Sequence, residues 1–289
     1  MDRSLIIGLG EILWDLLPEG RQLGGAPANV AFHAQQLGAD AIVVSAVGKD
    51  TLGNEIIENL DRNHLSYHLS KTAEPTGTVE VKLRNGVPEY MIRENVAWDY
   101  IQYTPELKRL TDRAAAVCFG SLAQRSPVSR KTIQKVLLHM PKNSIKLFDI
   151  NIRKYYYTKE TISLSLMASN VLKINQEELS LLSALFHLPS RELEKLRSIA
   201  QNFGIKLIAL TKGEKGSVLY TDSEISYLEA APVQLADTIG AGDSFSATLL
   251  MGLINKKALR QIHRQATQVS AFVCSHSGAT PQLPKELIY

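Results

Sequence analysis

Short apolar runs rich in β-branched residues alternate with amphipathic segments along most of the chain. The apolar runs begin with "LIIGLG" at residue 5 and continue at 41–48, 115–120, 145–150, 171–175 and 206–211. Helical spacing of apolar residues occupies much of the intervening sequence, at Ala28–Leu37, Thr51–Leu60, Val128–Met140 and Arg191–Phe203. Strands that alternate with helices at this spacing predict an α/β protein with a parallel sheet covered on both faces.

One region follows a different period. Polar and apolar residues alternate from Thr76 to Ile101 across an Asn85-Gly86 turn signal, which predicts an antiparallel hairpin. A segment at about 11–20 is expected to add a strand of the same kind. The predicted organisation is one domain over 1–289, with a small β flap from 11–20 and 76–101. Such a flap closes a site against water or extends an edge for a homodimer, and the sequence leaves both roles open.

Composition narrows the class of protein. The 289 residues are 45% hydrophobic and 21% charged, and the net charge of +3 comes without a long Lys/Arg block, which argues against nucleic acid as a partner. Cys118 and Cys274 lie far apart in apolar surroundings, as expected of buried thiols in a reducing compartment. Glu11 and Asp15 interrupt the first apolar run, so we expect neither a signal peptide nor a membrane span. A cytoplasmic protein is predicted.

The stretch "DTIGAGDSF" carries the strongest chemical signal. Gly240, Ala241 and Gly242 expose backbone N–H groups at the start of an apolar helix, where phosphate binds readily, and Asp243 could accept a proton from an attacking hydroxyl. The alternative is a carboxylate that merely stabilises the first turn of a core helix. The chain has no Walker-type G-x-x-x-x-G-K-[ST] motif, and "GLGEIL" lacks the third glycine of a dinucleotide fingerprint.

Three further segments have both a functional and a structural interpretation. "LGGAPANVA" places Asn29 in the first turns of a helix, as a sugar ligand or simply a polar first-turn residue. Asn175 and Glu178 are spaced to hold a hydrated Mg²⁺, or to form a helix cap with its acidic third residue. "TKGEKGS", from Thr211 to Ser217, suits the edge of a nucleotide site or a plain hairpin.

Taken in order, these motifs resemble the ribokinase-like (PfkB) family of carbohydrate kinases along nearly the whole chain. "DTIGAGDSFSA" is similar to the family's C-terminal signature, and "GGAPANVA" with "VGKDTLG" is similar to its N-terminal one. "GEILWDLLPEG" and "FDINIR" look most like the fructokinase branch. The resemblance implies a Rossmann-like three-layer α/β/α sandwich, with a mostly parallel central sheet and a small β-sheet lid.

The resemblance also implies roles for individual residues. Asp243 would be the catalytic base, and the backbone from Gly240 through Ala241 and Gly242 would form the anion hole. The sugar would be held by five residues: Asp15, Gly24, Gly25, Asn29 and Arg153. ATP and Mg²⁺ would be bound by Asn175, Glu178, Thr211, Gly213 and Gly216, with Glu178 reaching the Mg²⁺ through water. Many members bind a potassium ion beside the anion hole, where Asp237, Ile239 and Gly278 are the candidates.

The function implied is transfer of the ATP γ-phosphate to a sugar primary hydroxyl, with fructose to fructose 6-phosphate as the best single candidate. Ile150 stands where proline is frequent in fructokinase-like members, and "KYYY" replaces the usual segment after Arg153. Both departures lie near the expected sugar side, so they weaken the prediction of the substrate and not that of the phosphoryl-transfer reaction. 2-keto-3-deoxygluconate, ribose and nucleoside kinases therefore stay open, as does a sugar sensor without turnover.

Overall fold

The structure, a computed structural model, describes residues 4–17, 20–84 and 87–288, with backbone alone at 81–84 and 87–90. The predicted Asn85-Gly86 turn lies outside the described residues. The strands are β1 Leu5–Leu9, β2 Leu13–Leu17, β3 Gly20–Gly24, β4 Asp40–Gly48, β5 Ser66–Thr72, β6 Gly77–Arg84, β7 Val87–Ile92, β8 Ala116–Phe119, β9 Ile145–Asp149, β10 Val171–Asn175, β11 Leu207–Thr211, β12 Ser217–Tyr220 and β13 Ile225–Leu228. The α-helices are α1 Ala26–Gln36, α2 Thr51–Arg62, α3 Pro105–Arg113, α4 Pro127–His139, α5 Lys159–Ala168, α6 Gln176–Phe186, α7 Glu192–Phe203, α8 Ala241–Ile254 and α9 Leu259–Cys274.

A nine-stranded sheet forms the centre, in the order β13-β12-β11-β10-β9-β8-β1-β4-β5. Its strands pair in parallel from β5 to β11, and β12 and β13 add an antiparallel edge. The apolar runs are nearly continuous because these strands are buried on both faces. The α/β class and the mostly parallel sheet predicted from the alternating pattern are confirmed.

Two apolar cores lie on opposite faces of this sheet. One contains Ile133 of α4, Leu179 of α6 and Leu196 of α7, whereas the other contains Val30 of α1 and Phe245 of α8. Helices therefore cover both faces, as in a three-layer sandwich. No helix among the described residues combines the length and the apolar character needed to cross a membrane.

The second sheet has four strands in the order β3-β2-β6-β7, and we call it the lid sheet. The hairpin partners β6 and β7 are antiparallel, as predicted, and β2 pairs in parallel with β6. The hairpin is shorter than predicted, because β7 ends at Ile92 and Ala97–Tyr100 form a short 3₁₀ helix. Val96, Ala97 and Trp98 are consecutive buried residues, which a strand with one solvent face cannot accommodate.

Candidate active site

The first turn of α8 lies at the centre of the candidate site. Gly240 precedes the helix with a left-handed φ of 77°, and a Cβ there would lie 2.6 Å from the Cα of Ala279. The first intrahelical bond runs from Ser244 N to Gly240 O at 2.9 Å, so the amides of Gly242 and Asp243 precede it. Amides in this position are donors without intrahelical partners, at the positive end of the helix dipole. The geometry suits an anion.

Asp243 is held by a residue 214 positions earlier in the chain. The Nδ2 of Asn29 donates to Oδ2 of Asp243 at 2.8 Å. Burial, followed by the negative charge of Asp149, raises the pKa of Asp243 to about 6, whereas Asn29, Lys173 and Arg153 act to lower it. At neutral pH this carboxylate is therefore mostly ionised and close to the pKa at which proton transfer is efficient. The two signature motifs meet at this hydrogen bond.

A buried ion pair lies beneath the same helical turn. Lys173 Nζ is 3.0 Å from Asp149 Oδ1, and Ser246 Oγ donates to Asp149 Oδ2 at 2.9 Å. A Cβ on Gly242 would approach Lys173 Nζ to 2.7 Å, so a larger residue there would displace the ammonium group of this ion pair. None of Asp149, Lys173 or Ser246 was predicted. The available signal was the charge of Lys173 between the apolar residues Leu172 and Ile174 of β10.

Residues predicted to bind the sugar adjoin Asp243 on the lid side. Asp15 is on β2, Gly24 ends the neighbouring β3, and Gly25 caps α1, where its carbonyl accepts from Asn29 N at 3.0 Å. Burial raises the pKa of Asp15 to about 6, and the positive charge of Arg153 opposes that rise. Arg153 itself is exposed in the segment after β9. The structure thus brings these five predicted residues to one region.

Glu11 is a further acid at this site that the sequence analysis did not identify as a ligand. It follows β1 and is 3% exposed, and its Oε2 has no hydrogen-bond partner among the described residues. Burial raises its pKa to about 7, although Arg153 and Arg125 act to lower it. Its position directly after "LIIGLG" was the signal, since the carboxyl ends of parallel strands converge at one edge.

On the opposite side of the α8 turn lies a cavity of about 530 Å³. It is lined by Ala241 and Gly242, by the predicted nucleotide residues Thr211, Gly213 and Gly216, and by the apolar residues Ala230, Ala231, Pro232, Val233 and Leu235. Thr267, Ser270 and Cys274 of α9 form a further wall of this cavity. Cys274 is half-buried rather than fully buried as predicted, because it faces this cavity. The volume falls within the range of small-molecule sites.

Asn175 and Glu178 form a capping box at the start of α6. Asn175 Oδ1 accepts from Glu178 N at 2.8 Å, and Glu178 Oε2 accepts from Asn175 N at 2.9 Å. Ile152 N donates to the other carboxylate oxygen at 3.0 Å. Glu178 is 5% exposed, and burial raises its pKa. The helix-cap interpretation is therefore confirmed.

The three candidate potassium residues are connected by hydrogen bonds to the carboxylate of one of them, Asp237. Asp237 Oδ1 accepts from Ile239 N at 3.0 Å, and its Oδ2 accepts from Gly278 N at 3.2 Å. Gly278 precedes Ala279, the residue that packs against Gly240. The group therefore adjoins the α8 turn. Within the described part of the chain, no set of three or more His, Cys, Asp or Glu side chains is arranged to hold a metal ion.

A family model, related sequences and solved structures with names of carbohydrate kinases all match this chain. The family model "pfkB family carbohydrate kinase" matches residues 20–286. "Putative sugar kinase PH1459" of Pyrococcus horikoshii is 29% identical over 99% of this chain and 96% of its own, and its crystal structure superposes with a TM-score of 0.82. "Probable fructokinase-4" of Arabidopsis thaliana is 29% identical, covering 99% of this chain and 95% of its own. Vibrio cholerae fructokinase, solved with fructose, ADP and calcium, has a TM-score of 0.82 at 23% identity, with 99% and 98% of the two chains covered.

Proposed function

The chain belongs to the pfkB family of carbohydrate kinases, and we propose that it transfers the γ-phosphoryl group of ATP to the primary hydroxyl of a neutral sugar, most specifically fructose, giving fructose 6-phosphate. The observation that carries this proposal is the Asn29–Asp243 hydrogen bond of 2.8 Å at the N-terminus of α8. This bond orients the Asp243 carboxylate, the proposed base, at the helix start that also lines the cavity. An ATP complex of PH1459 and the fructose complex of the Vibrio enzyme support the two substrate classes.

In the proposed reaction, Asp243 accepts the proton of the sugar hydroxyl as its oxygen attacks the γ-phosphorus. A new O–P bond forms, the bond between the γ-phosphorus and the bridging oxygen breaks, and ADP leaves with that electron pair. The amides of Gly242 and Asp243 face the charge that builds up on the phosphoryl oxygens. Ala241 and Gly240 complete this turn as the remaining anion-hole residues. The pKa of about 6 keeps Asp243 ionised at neutral pH.

Charge at the sugar side favours a neutral substrate. Glu11, Asp15 and Asp243 lie within the electrostatic reach of a single exposed cation, Arg153. Two further cations act on these carboxylates, but Arg125 is already paired with Asp99 at 2.8 Å and Lys173 with Asp149 at 3.0 Å. A sugar phosphate or sugar acid would add negative charge to this surplus of carboxylates. We therefore rank a neutral hexose first, with Asp15, Asn29 and the Gly24–Gly25 backbone as its hydroxyl ligands.

The proposed function also includes two bound cations, Mg²⁺ and K⁺. Mg²⁺ would bind beside Asn175 and Glu178 through its waters, and it would supply charge neutralisation for the ATP phosphates. Thr211, Gly213 and Gly216 would line the nucleotide. K⁺ would lie near Asp237, Ile239 and Gly278 and strengthen the positive potential behind the anion hole. A homodimer through the lid sheet and a cytoplasmic location remain part of the same proposal.

A sugar acid is the second candidate, and one observation favours it. Arg153 is exposed at the sugar side, where a guanidinium can bind a carboxylate in bidentate fashion. 2-keto-3-deoxygluconate would satisfy this cation. The distinguishing variant is Arg153→Gln, which should raise KM for the sugar acid far more than KM for fructose if the acid is the physiological substrate.

The test is ADP release with Mg-ATP, with and without potassium. The panel of acceptors is fructose, glucose, mannose, ribose, 2-keto-3-deoxygluconate, adenosine and fructose 6-phosphate. Rapid turnover of fructose alone would support the full proposal, whereas turnover of another acceptor would retain the reaction and replace the sugar. Sugar-dependent thermal stabilisation without ADP release would favour a sensor and contradict the kinase proposal.

A further inference from the structure

His33 is a fully buried histidine whose ring contacts the loop behind the anion hole. Its Nε2 lies 2.9 Å from the carbonyl oxygen of Ala279, 246 residues away. Burial lowers the pKa of His33 to about 4, so the ring is neutral at pH 7. Because its neighbour can only accept, the ring proton must reside on Nε2, which donates the hydrogen bond. Nδ1 has no partner among the described residues.

Ala279 is in turn the residue against which α8 begins. A Cβ on Gly240 would lie 2.6 Å from the Cα and 2.8 Å from the carbonyl carbon of Ala279. There is no free space between these two backbones, so a shift of Ala279 must move Gly240 or open a gap beside it. Gly240 immediately precedes the turn whose amides we assign to phosphoryl binding.

The same face of α1 also orients the proposed base. Asn29 lies one helical turn before His33, and residues four apart point to the same side of a helix. Asn29 binds the Asp243 carboxylate, while His33 binds the loop behind Gly240. One rigid helix therefore fixes two groups that must act together, the base and the anion-binding amides.

We propose that His33 is a positioning residue for phosphoryl transfer. Its Nε2–H holds the Ala279 carbonyl, and thereby Gly240, so that the amides of Gly242 and Asp243 keep their position relative to the Asp243 carboxylate. His33 touches neither substrate. This inference rests on the proposed function, because the positioning matters only if a phosphoryl group is transferred there.

The matched variants are His33→Met and His33→Gln. The two side chains have similar length and flexibility, but only glutamine can donate to Ala279 O. We expect H33M to lower kcat about 10- to 100-fold, the scale of loss for a displacement near 1 Å in an active site. KM for the sugar and for ATP should change less than about twofold, because the residues assigned to both substrates stay in place. H33Q should recover most of the lost kcat.

Gln36 provides a control on the same helix. Its Nε2 donates to Pro281 O at 3.1 Å, and its Oε1 accepts from Leu283 N at 2.7 Å, so it holds the same chain segment beyond Ala279. Gln36→Ala loosens that segment without removing the bond to Ala279. We expect its kcat to stay within about threefold of the wild type, since the Ala279–Gly240 contact is kept.

The experiment measures steady-state kinetics and thermal unfolding of the full chain and the three variants, with ¹⁵N amide shifts of Gly240 and Gly242. A low kcat in H33M, recovered in H33Q and near normal in Q36A, supports the inference. Wild-type kcat in folded H33M, or equal losses in H33M and Q36A, overturns it. If the wild-type chain turns over no acceptor, the proposed function fails, and the amide shifts still decide: changes in H33M but not in Q36A support the tether, and unchanged shifts refute it. Should H33M not fold, His33→Ala replaces it in the same comparison.

Discussion

The proposed chemistry depends first on the protonation of a single carboxyl group, that of Asp243. We predict that Asp243→Asn folds normally and lowers kcat by about three orders of magnitude, because base catalysis and orientation are lost together. Asp222→Asn, the same change at an exposed turn away from the site, should have no effect. Steady-state ADP release and a thermal melt of each variant provide the measurement. Near-normal turnover in D243N would refute the mechanism.

Asn29 sets the pH range in which that base is active. Its hydrogen bond lowers the pKa of Asp243 below the value that burial alone would give. Ionised Asp243 is the active form, so kcat/KM should fall as the pH drops through about 6 in the wild type. Asn29→Leu removes a stabilising donor from the ionised form, so this acid limb should move to higher pH. A pH profile of kcat/KM for both proteins tests the shift, and an unchanged limb with lower activity would mean that Asn29 acts only through substrate binding.

At the scale of the elements, the sequence predicts the strands and helices that follow from the local spacing of apolar residues. The apolar runs became β1, β4, β8, β9, β10 and β11, and the predicted helices begin and end within two or three residues of the observed ones. β3 was missed because "GRQLG" has neither strong alternation nor β-branched residues, and it forms by pairing with β2. The end of the hairpin was also mispredicted: Trp98 lies in a 3₁₀ helix, where Arg125 Cζ is 3.9 Å from the centre of its ring, and this contact joins segments that are distant in the sequence.

The buried pair between β9 and β10 supports the start of α8, and its removal tests that support. Lys173→Met should lower the free energy of unfolding by about 3–5 kcal/mol, because Asp149 would remain buried with Ser246 as its only described hydrogen-bond donor. Lys212→Met is the control, since the 2.6 Å pair of Lys212 with Glu192 is more exposed and should contribute about 1 kcal/mol or less. Urea unfolding gives both values. Equal effects of the two substitutions would contradict the role assigned to burial.

At the scale of the whole molecule, the candidate site is assembled from segments that only the complete fold brings together. The glycine-rich motifs could be recognised because backbone exposure requires particular residues at fixed spacing. Glu11 and Lys173 stood out only as charges beside or within an apolar run, and Asp149 and His33 not at all, because these residues act through partners 24 to 246 residues away or through burial itself. A charged residue inside an apolar run shows that something must compensate it, and only the fold identifies the partner.

Burial of titratable groups also shapes the stability of the whole chain against pH. Burial lowers the folded-state pKa values of His33 and His263 to about 4. Below pH 6.5 the unfolded chain takes up protons at these histidines before the folded chain does, so the free energy of unfolding falls as the pH drops. Glu11, Asp15 and Asp243 act in the opposite direction. Their pKa values are raised on folding, so their contribution is present at low pH and is lost as the pH rises toward 6 or 7.

Glu11 offers the clearest test of this balance, because its pKa rises from 4.5 to about 7 and its Oε2 lacks a described partner. Below pH 4.5 the carboxyl is protonated in both states, and Glu11→Gln should melt close to the wild type. Above pH 7 the wild type must bury an ionised carboxylate, so E11Q should be the more stable protein by about 3 kcal/mol, the value of a pKa rise from 4.5 to about 7. The measurement is the unfolding free energy of both proteins from pH 4.5 to 8. A constant difference across that range would show that the pKa of Glu11 is not raised on folding, so that Glu11 would be fully ionised at neutral pH and the surplus of negative charge that favours a neutral sugar would be larger than a pKa of about 7 implies.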